Sequence, residues 1–292
     1  MKKLVIGTRG SQLATTQTGH VAEALRRVTG LPVELKILST RGDRVQDRPL
    51  AEVGGKGLFT LELEQALREG SIDLAVHSLK DLPTDDPEGL VLAAHPERVD
   101  ARDVLVGSAL QALPSGSVVG TGSARRSALL KDVRPDLEIR GIRGNVDTRL
   151  RKLREGPYQA IVLAAAGLDR LALDVPGERL DPRRFVPAPG QGVLAVQCAQ
   201  RPEVIGLVQR IDHPATRLQI TAERAFLAAL GGGCSVPAAA WSALDGDLIT
   251  LHAALGREDG GPVERIVATA PASRADALGR AVAEQLVDRV SA

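Results

Sequence analysis

Several things are scarce in this chain, and each scarcity excludes something. Only two cysteines, Cys198 and Cys234, occur among 292 residues. That is too few for a disulfide framework and fits a reducing compartment, so the expected location is cytoplasmic. Aromatic residues are 2% and the net charge is +1, which leaves few rings for bases to stack on and no bulk field for a polyanion, so no nucleic acid is expected as a partner. No run approaches the ~18 consecutive apolar residues of a bilayer span. The start, Met1-Lys2-Lys3-Leu4-Val5-Ile6-Gly7, has too short an apolar stretch for a secretory signal, so no membrane association is expected. The five histidines, His20, His77, His95, His213 and His252, show no metal-ligand spacing with one another or with the cysteines, and no metal is predicted.

What is present is an ordinary globular composition, 43% hydrophobic and 25% charged, in a chain long enough for two or three domains. The first part alternates strands and amphipathic helices. Leu4 to Gly7 reads as a strand, and Val21, Ala24, Leu25 and Val28 repeat at helical spacing until Gly30 and Pro32. Val33 to Ile37 alternates as a strand, Leu58 to Leu67 reads as a helix and Asp73 to Ser78 as a third strand. This βαβαβ order implies a parallel sheet with ligands at the carboxyl ends of its strands. From about residue 99 the pattern restarts, with strands at 104–106, 117–121, 137–142 and 160–163, a helix from Ser123 and another capped by Asn145. No internal repeat is visible in the residues. The segment PAPGQG, 187–192, reads as a crossover between domains, after which Val193 to Gln197 and a helix over 203–210 return to the first sheet. The remainder reads as helix 215–230, three strands and a final helix with Leu278, Val282, Leu286 and Val290 on one stripe. The expected fold is therefore α/β, with two doubly wound domains joined by a hinge and a small C-terminal α+β domain. The boundaries are 1–97 with 193–212, then 98–192, then 213–292.

Of the 37 basic residues, 30 are arginines. Three groups stand where a strand turns into a helix: Thr8-Arg9-Gly10-Ser11, Gly120 to Arg126, and Gly141 to Asn145 with Arg149. A helix start offers unpaired backbone donors and partial positive charge, and arginine adds a planar fork for carboxylate or phosphate. Each alone also reads as an ordinary cap beside a surface arginine; together they imply a polyanionic ligand. GTGSAR at 120–125 lacks the third glycine of a dinucleotide fingerprint, and GGKG at 54–57 lacks P-loop spacing. Lys80-Asp81 follows a predicted strand and precedes Pro83; the aspartate reads either as a proton-handling carboxylate or as a turn residue balanced by Lys80. Cys234, after three glycines, reads as a nucleophile or covalent anchor, or as a small buried residue, whereas Cys198 in an apolar strand reads as core. Residues 40–57, polar and glycine-rich, read as a lid or as a disordered loop.

The same stretches resemble the porphobilinogen deaminase (hydroxymethylbilane synthase) family, almost end to end. They are IGTRGSQLA (6–14), PLAEVGGKGLF (49–59), VHSLKDLP (76–83), VGTGSARR (119–126), RGNVDTRLRKL (143–153), AAAGLDRL (164–171), PAPGQG (187–192) and AERAFLAALGGGC (222–234). The resemblance implies a three-domain transferase of tetrapyrrole biosynthesis, its first two domains like those of periplasmic binding proteins. It would join four porphobilinogen molecules with loss of ammonia and release hydroxymethylbilane. A dipyrromethane cofactor would be held on Cys234 by a thioether, with Asp81 as the catalytic aspartate. Arg9, Ser11, Lys80, Thr121, Ser123, Arg125, Arg126, Arg143, Gly144, Arg149 and Arg170 would bind the acidic side chains. Lys56 and Phe59 would belong to the lid, and Gln191 to the crossover. The sequence does not fix the oligomeric state; a monomer is the default expectation, with handover of the product to the next enzyme as a possible partnership. Glu52, Gln159 and Gly10 depart from the family pattern, and neither Glu52 nor Gln159 is given a role. Two other readings remain at this stage, a solute-binding protein closing on an anion without chemistry, and a cysteine hydrolase, for which no histidine is marked as partner.

Overall fold

The computed structural model describes residues 2–40, 60–231, 236–257 and 261–291. Contacts group 1–99 with 193–217 as one compact unit and 100–192 with 218–292 as another.

In the first unit, β1 (Leu4–Thr8) leads through Ser11 into α1 (Gln12–Thr29), which stops at Gly30 in the left-handed conformation, φ 71°. There follow β2 (Val33–Ile37), α2 (Leu61–Arg68), β3 (Leu74–Ser78) and β4 (Leu90–Ala94). The second unit begins with β5 (Asp103–Val106), β6 (Val118–Gly120), α3 (Ala124–Val133), β7 (Glu138–Arg140) and α4 (Val146–Glu155). It continues with β8 (Ala160–Ala164), α5 (Ala165–Arg170) and β9 (Gly177–Arg179). The chain then adds β10 (Leu194–Ala199) and α6 (Pro202–Val208) to the first unit. After α7 (Pro214–Ala229) come β11 (Ala238–Asp245), β12 (Leu248–Leu255), β13 (Glu264–Pro271) and α8 (Ala275–Ser291).

The first sheet runs β2-β1-β3-β10-β4 and the second β7-β6-β8-β5-β9. Each has three parallel strands followed by two antiparallel pairings. β10 is antiparallel to β3 and β4, and β5 is antiparallel to β8 and β9. The parallel sheet expected from βαβαβ order is thus corrected to a mixed one. A crossover helix fixes direction only between the strands it joins, and neither β10 nor β5 is reached that way from its neighbours. Both sheets are covered on two faces, as a doubly wound arrangement requires. In the first, Leu4, Ile6, Leu74 and Val76 pack with Val21 and Leu25 of α1 and Val204 of α6, while Ala75 and Leu90 pack with Leu63 and Leu67 of α2. On α1 the buried apolar residues are Val21, Ala22 and Leu25, so Ala22 takes the place expected of Ala24. Leu35 and Ile37, the apolar alternates of β2 after Val33, are 41% and 64% exposed, and β2 is an edge strand.

The three antiparallel strands β11 to β13 also bury two faces. Ala238, Ala240, Leu251 and Ala253 meet Phe226 of α7 and Leu278, Val282 and Leu286 of α8. Gly279 lets these helices touch, since a Cβ there would run into the carbonyl of Ala222. The alternate residues Ala239 and Ala254, with Val263, join the cluster of Leu129, Leu130, Val119 and Phe185 in the second α/β layer. An Arg265 Nη2–Asp132 Oδ2 ion pair of 2.7 Å adds to that junction.

Candidate functional site

Because β1 and β3 are parallel neighbours, the turns that follow them lie at one edge of the first sheet. Ser11 caps α1, its Oγ accepting from Ala14 N at 3.2 Å, which satisfies one of the helix's unpaired donors. Arg9 is half-buried beside it. Gln17 Nε2 donates to Ser78 Oγ at 3.0 Å, tying α1 to the end of β3. The chain then makes a short 3₁₀ turn, Leu79–Asp81, in which Leu79 is buried, Lys80 half-buried and Asp81 exposed. This edge therefore presents Arg9, Ser11, Lys80 and Asp81. Beneath it lies His77, buried, with its Nε2 at 3.2 Å from Gln197 Oε1. Burial, partly opposed by that hydrogen bond and assisted by the charge of Arg9, pushes its pKa down to about 4. His77 is a neutral group near pH 7.

In the second sheet the turns after β6 and β7 are adjacent, with Thr121 N donating to Arg140 O at 2.9 Å. Buried Thr121 accepts from Ser123 N through Oγ1 at 3.2 Å, and Ser123 Oγ caps α3 by accepting from Arg126 N at 3.4 Å. In the turn after β7, Gly144 has φ +114°, where a Cβ would meet Thr148 Cγ2 at 2.5 Å, so a side chain is excluded both by conformation and by space. Its carbonyl accepts from Arg149 Nε at 2.8 Å, and that of Arg143 from Lys152 Nζ at 3.1 Å. Asn145 occupies the N-cap position of α4 but makes no side-chain capping bond, so the cap expected there is one of position only.

Arg125 and Arg126 are 5% and 6% exposed, far from the picture of surface forks. What makes this tolerable is Asp103, 0% exposed at the start of β5. Its Oδ1 accepts from Arg126 Nη2 at 2.6 Å, Arg126 Nε at 3.0 Å and Gln191 Nε2 at 3.0 Å. Its Oδ2 lies 2.8 Å from Arg125 Nη2, an ion pair without hydrogen-bond alignment. Arg125 Nη1 donates to Val186 O at 2.7 Å and Arg126 Nη1 to Val162 O at 2.9 Å. Burial would raise the Asp103 pKa, but the two guanidiniums and the hydrogen bonds from Arg126 and Gln191 hold it well below the usual carboxylate range. Burial pulls the Arg125 pKa down against the attraction of Asp103. A buried carboxylate between two buried guanidiniums leaves one positive charge in excess, next to a helix start that is itself partly positive.

Sequence reasoning missed Asp103. The direction of β5 explains it: antiparallel pairing sets Asp103 opposite Ala164, the last residue of β8, so the first residue of β5 arrives at the carboxyl edge of its neighbours. The available signal was a lone acidic residue opening the apolar run Val104-Leu105-Val106.

Gln191, 0% exposed, donates to Ala101 O at 2.7 Å as well as to Asp103. Arg170 donates to Gly192 O at 2.8 Å, and burial lowers its pKa to about 10. The structure thus joins Arg125, Arg126 and Gln191 through Asp103 and sets Arg170 against the same crossover segment. Gln159, given no role, accepts from Val118 N at 2.6 Å. Cys198 is buried in the core of the first sheet, where burial raises its thiol pKa to about 11 despite the nearby Arg201. Cys234, Lys56, Phe59, Glu52 and nearly all of the expected lid lie outside the described residues. Among the described residues no helix is long and apolar enough to cross a membrane, and no group of three metal-ligating side chains occurs.

Residues 4–206 match the family model described as "Porphobilinogen deaminase, dipyromethane cofactor binding domain", and 217–288 match "Porphobilinogen deaminase, C-terminal domain". The chain is 52% identical over 292 residues to the porphobilinogen deaminase of Roseiflexus sp. (strain RS-1), covering 98% of this chain and 96% of that one. It is 48% identical over 293 residues to that of Neisseria meningitidis serogroup B (strain MC58), covering 98% and 94%. Among solved structures it is similar to the methionine binding protein MetQ, with a TM-score of 0.45 and 14% identity over 72% of this chain and 89% of that one.

Proposed function

This chain belongs to the porphobilinogen deaminase family, and on that premise we propose that Asp81 is its catalytic carboxylate and Cys234 the attachment point of its dipyrromethane cofactor. The reaction of the family is a transfer: porphobilinogen molecules are condensed head to tail, with loss of ammonia, toward the linear tetrapyrrole precursor. The set of donors suits a group rich in carboxylates. The observation that carries this is the surplus positive charge of the buried Arg125–Asp103–Arg126 cluster, in which Arg125 Nε is buried without a hydrogen-bond partner.

When bound, the dipyrromethane supplies a fixed primer on which the chain is extended. Thr121, Ser123, Arg125, Arg126, Arg143, Gly144 and Arg149 would hold acidic side chains in the second unit, and Arg9, Ser11 and Lys80 in the first. Each pyrrole of the substrate brings two carboxylates, so negative charge accumulates with every addition, and fixed cations at helix starts oppose that accumulation. The aminomethyl group, protonated as an ammonium, leaves its carbon as neutral ammonia with the C–N electron pair, which makes the remaining ring system electron-poor and cationic in character. The carboxylate of Asp81 stabilises that charge and accepts the proton released after the new C–C bond has formed. Gln191 and Arg170 hold the 187–192 segment. Lys56 and Phe59 would cover the reacting groups.

The proposal extends to three domains, 1–97 with 193–212, 98–192 and 213–292, and to a cytoplasmic monomer that passes its product to the next enzyme. The two-cysteine composition supports the compartment. Intact mass is the decisive measurement. The wild-type protein should carry the mass of two linked pyrroles and gain single rings on exposure to porphobilinogen. Cys234→Ala should fold, carry no adduct and turn nothing over; an adduct of normal mass on that variant would overturn the attachment site.

A further inference from the structure

We propose that Asp103 is a positioning residue for ligand capture, acting through Arg125 and Arg126: it fixes both guanidiniums while leaving their pocket one positive charge in excess. This rests on the reading that those two arginines bind carboxylates. Three features separate such a role from simple neutralisation of buried charge. First, a purely structural cluster is cheapest when charges balance, yet here one carboxylate serves two guanidiniums that are 5% and 6% exposed. Second, every nitrogen of Arg126 is held by protein, Nε and Nη2 by Asp103 and Nη1 by the Val162 carbonyl. Arg125, by contrast, is anchored at Nη1 and Nη2 while Nε is buried and has no partner. The pair is thus immobilised with a donor and a charge to spare. Third, the carboxylate is itself oriented, since Gln191 Nε2 holds Oδ1 at 3.0 Å while bonded to the Ala101 carbonyl at 2.7 Å. Guanidiniums ordered before the ligand arrives lose little further freedom on binding it, which is how preorganisation raises affinity.

The test uses the full-length protein and its Asp103→Asn, Arg125→Ala and doubly substituted forms. Three quantities are read: the KM and the kcat for porphobilinogen, and the porphobilinogen concentration at which cofactor-free protein becomes half-loaded with the two-pyrrole adduct by intact mass. Asp103→Asn is nearly isosteric. In its folded form it should raise KM and the half-loading concentration by about tenfold or more, the scale of one charge-assisted contact, with a smaller change in kcat. In the double variant the effects should fall short of the product of the single ones, because the share of the Asp103 effect that runs through Arg125 is already lost in Arg125→Ala. A folded Asp103→Asn protein with wild-type KM and half-loading, or strictly multiplicative effects, would overturn the proposal. Should Asp103→Asn not fold, Gln191→Met removes only the amide that orients the carboxylate. It should raise KM by about two- to fivefold, and an unchanged KM would count equally against Asp103. If Arg125→Ala leaves KM and half-loading untouched, the arginines are not carboxylate ligands and both readings fall. If Arg125→Ala raises them and Asp103→Asn does not, the positioning role alone falls.

Discussion

The two α/β sheets share strand order and strand directions, yet they fill the antiparallel fourth strand with opposite chemistry. In the first sheet that strand, β10, carries Gln197, which meets a buried His77 held neutral. In the second it is β5, whose Asp103 is ionised between two arginines. The ends of the third strands differ too. β3 runs into a 3₁₀ turn bearing Lys80 and Asp81, whereas β8 passes directly into α5 through Ala164 and Ala165. One scaffold used twice carries two chemistries: one sheet has at its edge Asp81, the carboxylate proposed to react, and the other a rigid cluster of cations. Capping serines are common to both, Ser11 on α1 and Ser123 on α3.

That division can be broken experimentally. The largest effect expected is on chemistry in the first unit: Asp81→Asn should lower kcat by about 100- to 10,000-fold, the range for a positioned acid–base group, with adduct content retained. A kcat near wild type would move the reacting carboxylate elsewhere. Next comes acid sensitivity. The folded-state pKa of His77 is depressed to about 4 from 6.5, so the unfolded chain binds its proton first. Stability from this group is complete above pH 6.5 and is lost as pH falls toward 4, amounting to about 3 kcal/mol at full loss. Urea unfolding across that window should show the decline, and His77→Asn should flatten it. Some slope will remain from His252, whose pKa burial also lowers. Asp103 lies below the usual carboxylate range, so its contribution persists throughout this window and disappears only at lower pH. The smallest effect should come from what the units share. Ser11→Ala and Ser123→Ala should each cost about 0.5–2 kcal/mol of unfolding free energy, and a difference well outside that range between them would show that one serine does more than cap.

Much of this was visible in the residues and some was not, for definite reasons. Hydrophobic periodicity and caps located α1, α3 and α8, since those signals are local. The direction of β5 and β10 was invisible because it depends on pairing with strands distant in sequence, and with direction went the position of Asp103. Leu35 and Ile37 alternate like core residues, yet only the sheet order places β2 at an edge. The duplicated topology left no trace as a repeat because Thr8-Arg9-Gly10-Ser11 and Gly120-Thr121-Gly122-Ser123 satisfy the same backbone requirement with different residues. As for the site, the motifs marked Arg125 and Arg126. That they are buried and pinned followed from a carboxylate more than twenty positions earlier in the chain.

The sheet of β11 to β13 is apolar on both sides, with Ala239, Ala254 and Val263 belonging to the neighbouring α/β core. It therefore lacks autonomy. A fragment cut after residue 217 would carry a complete helix-packed side and an opposite side stripped of its covering, a surface prone to self-association. Any graft of this C-terminal piece onto another scaffold would need that second side redesigned for water.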